Sequence, residues 1–209
     1  MSRKSEKRNS LAFSSLTRDY RAKKLRKIVI APKRIMKNQQ IIIVGFMGSG
    51  KTTLAQEVGH QLGCPVSDLD EFINSSEGRS AAEIIQQDGE NNFRRIETGM
   101  LVRVLTENPA VIIAAGGGAW MIAENRRLIA EHKARTIWLD APFELCWKRI
   151  EEEGKIRPLA SSMQAAEKLY RERRPIYELA DIRIPVVESE TAEEIAARIV
   201  DGLTRHLQN

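Results

Sequence analysis

The chain has 209 residues, 42% hydrophobic and 29% charged, a composition that suits one globular domain plus a tail and argues against a disordered protein. No run approaches the roughly 18 apolar residues that a membrane-crossing helix needs. Cys64 and Cys146, 82 positions apart, form neither a disulfide framework nor a zinc spacing, and a reducing cytoplasm fits them. The formal charge of +5 is unevenly shared: residues 1–35 hold 12 Lys/Arg and 2 Asp/Glu, leaving 21 basic and 26 acidic residues for 36–209. The body is therefore mildly acidic, which argues against a nucleic-acid-binding face. Residues 1–35 lack periodicity and an apolar core of the kind a secretory signal carries. They read first as a disordered arm or an artefact of start-site choice ahead of Met36, next as a transit-like peptide and last as a nucleic-acid arm. The folded body is expected over 36–209.

The first element is a strand over 41–44, Ile-Ile-Ile-Val, continuously apolar as a central parallel strand should be. It runs into Gly45-Phe-Met-Gly-Ser-Gly-Lys51-Thr52, which fits G-x-x-x-x-G-K-[ST] between a strand and a helix over 51–62. Such a loop turns backbone N–H groups onto phosphate oxygens, and the helix adds its positive end. This assigns nucleotide contacts to Gly48, Ser49, Gly50, Lys51, Thr52 and Thr53, with Lys51 at the β- and γ-phosphates and the Thr52 hydroxyl on Mg²⁺.

A short strand over 65–68 leads into Ser67-Asp68-Leu69-Asp70. If the segment stays extended, both carboxylates face one side, one to serve Mg²⁺ and one to bind an acceptor hydroxyl. Alternatively Asp68 or Asp70 caps a helical turn over 71–74. Helices follow over 81–87 and 90–107. In the second, Phe93, Ile96, Met100 and Val104 form an apolar stripe. Arg94 and Glu97 flank it at i and i+3, so that Glu97 can orient Arg94 or merely form a surface pair with it. A strand over 111–115 ends in Gly116-Gly-Gly118, where a ligand can approach backbone N–H groups closely. Then come a helix over 121–131, a strand over 135–140, a helix over 142–152 and a charged stretch containing Arg157. A helix over 163–179 carries Arg173-Arg-Pro175-Ile-Tyr177; a strand over 182–187 and a helix over 191–206 close the chain. Strand–helix alternation implies βαβ units and a parallel sheet covered on both faces. His60, His132 and His206 have no ligand spacing. Trp138 and Trp147 read as packing residues; Trp120, just after the glycines, reads first as packing and second as approaching the acceptor pocket.

The ordered set of P-loop, Asp68-Leu-Asp70, Asp88-Gly-Glu90, Phe93-Arg-Arg-Ile-Glu97, Gly116–Gly118, Arg157-Pro-Leu159 and Arg173-Arg-Pro175-Ile-Tyr177 resembles shikimate kinase over about residues 40–207. The resemblance implies an α/β, three-layer P-loop kinase fold with a five-stranded parallel sheet and a mobile lid. It implies ATP-dependent phosphorylation of the shikimate 3-hydroxyl with Mg²⁺ as cofactor. By motif position it makes Asp68 the metal-side carboxylate and Asp70 the group that binds the reacting hydroxyl. Arg94 and Arg173 hold the substrate carboxylate, and Gly116, Gly117 and Gly118 lie beside the substrate. Arg157 is the lid arginine that approaches the phosphates, and Arg149 lies near adenine. Catalysis is thus expected from Lys51, Asp70 and Arg157. One departure is Ala160, where the lid motif usually has a second leucine. A gluconate-type kinase and a catalytically silent nucleotide-binding module are the competing readings. No nucleic acid or membrane is expected as a partner, and a cytoplasmic monomer is. A chain beginning at Met36 is expected to keep full kinase activity and nearly the same Tm, measured by enzyme assay and thermal melt; a large loss of either would mean that residues 1–35 pack on the body.

Overall fold

β1 (Ile41–Val44) is four β-branched residues in a row, stiff at χ1 and suited to a pleat with protein on both faces. The computed structural model, which describes residues 39–107, 112–154 and 158–205, leaves all four at 0% exposure. With β1 lie β2 (Val66–Asp68), β3 (Ile112–Ala114), β4 (Arg135–Asp140) and β5 (Ile182–Pro185). All pair in parallel, in the order β2-β3-β1-β4-β5. This is the expected five-stranded parallel sheet. The proposed 1–35 tail, Val111, Arg157 and His206 lie outside the described residues.

The helices are α1 (Lys51–Leu62), α2 (Leu69–Glu77), α3 (Ala81–Asp88), α4 (Glu90–Glu107), α5 (Ala123–Glu131), α6 (Phe143–Glu153), α7 (Met163–Tyr177) and α8 (Ala192–Arg205). Helices α1 and α8 pack together. Each buries one stripe at i, i+4 and i+8, Leu54, Val58 and Leu62 on the first and Ile195, Ile199 and Leu203 on the second, the spacing of a single helical face.

Of the two readings left open for Asp68 and Asp70, the structure shows the cap, with the helix beginning earlier than the expected turn over 71–74. Asp68 accepts on Oδ1 from the N–H of Asp70 at 2.9 Å and of Glu71 at 3.3 Å. That is an N-cap, and it starts α2 at Leu69, whose buried Leu69 and Ile73 join the core. β5 also stops earlier than expected, at Pro185, although the Val186 N–H still donates to the Asp140 carbonyl at 3.0 Å; as an edge strand it tolerates the proline, whose missing N–H faces away from β4.

The sheet order decides where a ligand goes. From β1 the chain crosses to the outer β2, returns to β3 and then continues on the other side of β1. Open parallel sheets bind ligands outside the strand carboxyl ends at such a switch point. Gly45, Leu69, Ala115, Ala141 and Val186 each follow a strand end on that one edge.

Pro158–Ala160 forms a single 3₁₀ turn. Ala160 is buried with Phe143 and Ala166, and Met47, Trp147 and Tyr170 close over them. The Phe143 ring lies 5.6 Å from Tyr170 and 6.5 Å from Trp147, so aromatic rings fill the volume that a larger residue 160 would take. Ala160→Leu is expected to overpack this cluster by about 1–3 kcal/mol and lower the Tm by roughly 2–12 °C. An unchanged thermal melt would mean that the cluster has room to spare.

Candidate active site

The phosphate loop is shaped by its neighbours. Gly48 sits at φ 73, and a Cβ there would collide with the carbonyl oxygen of Cys146 in α6, so only glycine fits. Lys51 donates from Nζ to the Phe46 carbonyl at 2.9 Å, spanning the base of the loop. Arg149, from α6, donates to the carbonyls of Gly48 and Ser49 at 3.3 and 3.0 Å. A trans peptide points its N–H away from its C=O, so the Ser49 carbonyl on Arg149 turns the Gly50 N–H the opposite way. No side chain caps the first turn of α1, which leaves its N–H groups and the positive helix end open to an anion. Gly48, Ser49, Gly50, Lys51, Thr52, Thr53, Asp68, Asp70 and Arg149 line one cavity of about 570 Å³. Its far end is walled by Glu152, Val186, Glu190 and Ile195, from α6, α8 and the loop after β5. These residues carry no motif, and of them only Val186 directly follows a strand end.

The two sequence readings of the acidic pair prove compatible. Asp68 caps α2 with Oδ1 while its Oδ2 accepts from the Thr52 hydroxyl at 2.6 Å. A hydroxyl and a carboxylate oxygen thus meet inside the cavity, the hard donors that Mg²⁺ selects. Among the described residues no three His, Cys, Asp or Glu side chains cluster to hold a metal by themselves. An ion held here would need its remaining ligands from elsewhere, such as phosphate and water, which Mg²⁺ commonly keeps.

A second, smaller pocket of about 110 Å³ adjoins the first. Asp70, Met47 and Gly117 line both. Arg94, Glu97, Gly116, Gly118 and Arg173 complete its polar wall, while Ala81, Ala82, Ile85, Phe93, Pro158 and Leu159 supply an apolar one. Arg94 donates from Nη1 to Glu97 Oε2 at 2.7 Å, and from Nε and Nη2 to Glu90 Oε1 at 3.2 and 3.0 Å. Glu97 is 1% exposed, so the pair is no surface contact. Its Oε1 has no hydrogen-bond partner among the described residues. Burial, its largest influence, raises the Glu97 pKa above the ordinary carboxylate value, against the pull of Arg94, and the Asp70 charge adds to the rise. Arg173 donates from Nη1 to the Gly117 carbonyl at 3.0 Å, which also accepts from the Tyr177 hydroxyl at 2.5 Å.

The glycine triplet also answers to the side chains around it. A Cβ on Gly116 would lie 2.7 Å from Glu97 Oε1 and 2.9 Å from Asp70 Oδ1, and one on Gly118 would collide with the Arg94 guanidinium. Gly116 and Gly118 thus make room for charged side chains. Trp120 is a packing residue, as expected, and its Nε1 donates to the Ile176 carbonyl at 2.8 Å. Arg157 lies outside the described residues. Met47, Glu90, Tyr177 and the α3 wall are site residues that the sequence reading left without a role.

Three comparisons bear on this geometry. The family model described as shikimate kinase matches residues 47–204. A shikimate kinase of Mesorhizobium japonicum is 35% identical over 172 residues, 81% of this chain and 83% of that one. The solved structure of Acinetobacter baumannii shikimate kinase in complex with shikimate superposes with a TM-score of 0.78 at 28% identity, covering 85% of this chain and 99% of that chain. A gluconokinase structure from Sinorhizobium meliloti, at 18% identity and a TM-score of 0.55 over 83% of this chain and 95% of that chain, shares the fold alone.

Glu97 supplies a test by pH. With its folded pKa above the ordinary value, the folded protein holds that proton more tightly than the unfolded chain does. The stability linked to it is complete at low pH and lost as pH rises through the folded pKa. Glu97→Gln carries no such linkage. Thermal melts from about pH 4 to pH 8 are expected to show the variant gaining Tm relative to wild type as pH rises. A difference that ignores pH would mean that burial does not shift this carboxyl.

Proposed function

Since the chain belongs to the shikimate kinase family, we propose that its two adjoining pockets transfer the γ-phosphoryl of ATP to the 3-hydroxyl of shikimate. The observation that carries this reading is the position of Asp70 on the wall shared by both cavities. One side of it offers a phosphate loop, and the other a small pocket with two buried or half-buried arginines.

In this reading the larger cavity binds ATP. Backbone N–H groups of Gly48 and Gly50 and the start of α1 hold the phosphates, with Ser49 and Thr53 beside them. Lys51 neutralises charge on the transferring group. Thr52 and Asp68 hold Mg²⁺, whose chemistry is to screen the phosphate charges and align their oxygens. Arg149 buttresses the loop near the adenine end. Arg157 is proposed as a further cation at the phosphates from motif position alone.

The smaller pocket binds shikimate, an anionic ring with three hydroxyls. Arg94 and Arg173 take the carboxylate, since a planar guanidinium can donate two parallel hydrogen bonds. Gly116, Gly117 and Gly118 leave room for that arrangement. Asp70 orients the hydroxyl toward the phosphate and accepts its proton during or after transfer, because a loose transition state asks little activation of the nucleophile. The pocket's apolar wall fits the ring carbons and excludes water. We further propose a cytoplasmic monomer with residues 1–35 as a dispensable tail. Among the described residues no helix is long and apolar enough to cross a membrane.

The test is ADP release with ATP against shikimate, gluconate, nucleoside monophosphates and water; robust turnover is expected with shikimate alone. Turnover of gluconate in preference to it would replace the acceptor, and hydrolysis with none would support a silent module. Arg94→Ala is expected to lower kcat/KM for shikimate by about 10- to 150-fold, the worth of one buried charge-assisted hydrogen bond. The variant should also lose much of the wild-type discrimination against shikimate methyl ester. Retained discrimination would mean that Arg94 does not read the carboxylate.

A further inference from the structure

Arg173 and Arg174 stand about 100° apart around α7, so they leave the helix on different sides. Arg173 is 7% exposed and lines the smaller pocket. Arg174 reaches away from it, to the carboxyl end of β4. Its Nη1 and Nη2 donate to the two oxygens of Asp140 at 2.6 and 3.0 Å, fork against fork. Nη1 also donates to the Tyr170 hydroxyl at 3.0 Å, and the guanidinium carbon lies 5.0 Å from the Trp138 ring centre. Asp140 is 8% exposed and takes a second cation, Arg183 of β5, whose Nε donates to Oδ2 at 2.8 Å. Asp140, Arg174 and Arg183 line neither cavity.

The next residue explains why this anchor matters. Pro175 lies inside α7 and has no N–H to give to the Arg171 carbonyl, so the last turn is short of one of its own backbone bonds. Side-chain anchors therefore bear more on the setting of that turn, and the Arg174 fork on β4 is one of them. Because adjacent residues of a helix turn together, fixing Arg174 fixes the direction in which Arg173 leaves.

We propose that Asp140 and Arg174 are positioning residues for the acceptor pocket, acting through Arg173: their bidentate pair sets the rotation of the last turn of α7 and aims Arg173 at the substrate carboxylate. The inference rests on the assignment of the smaller pocket to an acid acceptor. Its competitor is a pair that merely fastens α7 to β4.

The experiment is steady-state kinetics and thermal melts on the full chain for Arg174→Met, Arg173→Ala and the double variant. Arg174→Met leaves Asp140 paired with Arg183, so no buried charge is stranded. It is expected to raise KM for shikimate about tenfold, the effect of roughly one weakened charge-assisted hydrogen bond, with KM for ATP unchanged. Arg174→Lys, which keeps the charge and loses the fork, should fall between, and it replaces Arg174→Met in the cycle if that variant does not fold. The deciding readout is coupling: if Arg174 acts through Arg173, the double variant should be hardly worse than Arg173→Ala. Fully additive effects, or a lowered Tm with KM for shikimate unchanged, would overturn the proposal while leaving the acceptor pocket standing. An unchanged KM in Arg173→Ala would sink the acceptor-pocket reading and this inference with it.

Discussion

Glu97 is a carboxylate with 1% exposure, and much of the smaller pocket is arranged around it. Removing a carboxylate from water costs several kcal/mol unless a counter-charge meets it closely. Arg94 does so at 2.7 Å. That pair then needs space against the end of β3, and the backbone there can give it only by carrying no side chain. Gly116 clears Glu97 and Asp70, and Gly118 clears Arg94. The outer edge of Arg94 rests on Glu90, whose side chain is 45% exposed, a contact that solvent weakens. Arg94 is therefore fixed on its inner edge and only loosely engaged on its outer one.

The larger cavity uses different means. Its phosphate loop relies on backbone N–H groups and the start of α1, held open by cations on the loop's carbonyls, Lys51 on Phe46 and Arg149 on Gly48 and Ser49. Between the two pockets stands the Asp68–Asp70 step. Asp68 divides its oxygens, one for the cap of α2 and one for Thr52. The cap determines where α2 begins, and Asp70 is one of the acidic residues in its first turn, where the helix's positive end favours negative charge. Capping and site chemistry are therefore one arrangement: the hydrogen bonds that start the helix also carry Asp70 to the shared wall.

This explains which features could be read from the sequence. Ile41–Val44 followed by the glycine-rich loop is a local pattern, and both the central strand and the phosphate site follow from it. The pairing of Arg94 with Glu97 is visible as a spacing, but a spacing cannot distinguish a buried pair from a surface one; the chain that packs against Glu97 includes Gly116, just after β3 and remote in sequence. The helix at Asp70 is legible only as one of two readings, because an aspartate at a strand end can equally cap a helix or face a ligand. The glycine triplet was noticed for its position, yet its reason lies in side chains some twenty and forty-five residues earlier in the chain, and no periodicity reports that. The wall formed by Glu152, Val186, Glu190 and Ile195 gathers residues from separate elements and follows from sheet topology alone.

The protonation states around the pockets narrow what they can do. Burial pushes the Cys146 thiol, whose backbone lies under the phosphate loop, up to about 12. Burial also raises the Tyr177 hydroxyl, despite Arg173 nearby. Each therefore stays protonated at neutral pH, and neither offers a nucleophile. Tyr177 instead serves as a donor to the Gly117 carbonyl. What remains at the junction of the cavities is the Asp70 carboxylate, with Lys51 on one side and Arg94 and Arg173 on the other. Such a set is suited to orienting and neutralising. Direct transfer between two bound molecules, through a transition state in which charge spreads over the phosphoryl oxygens, asks for that set and little more.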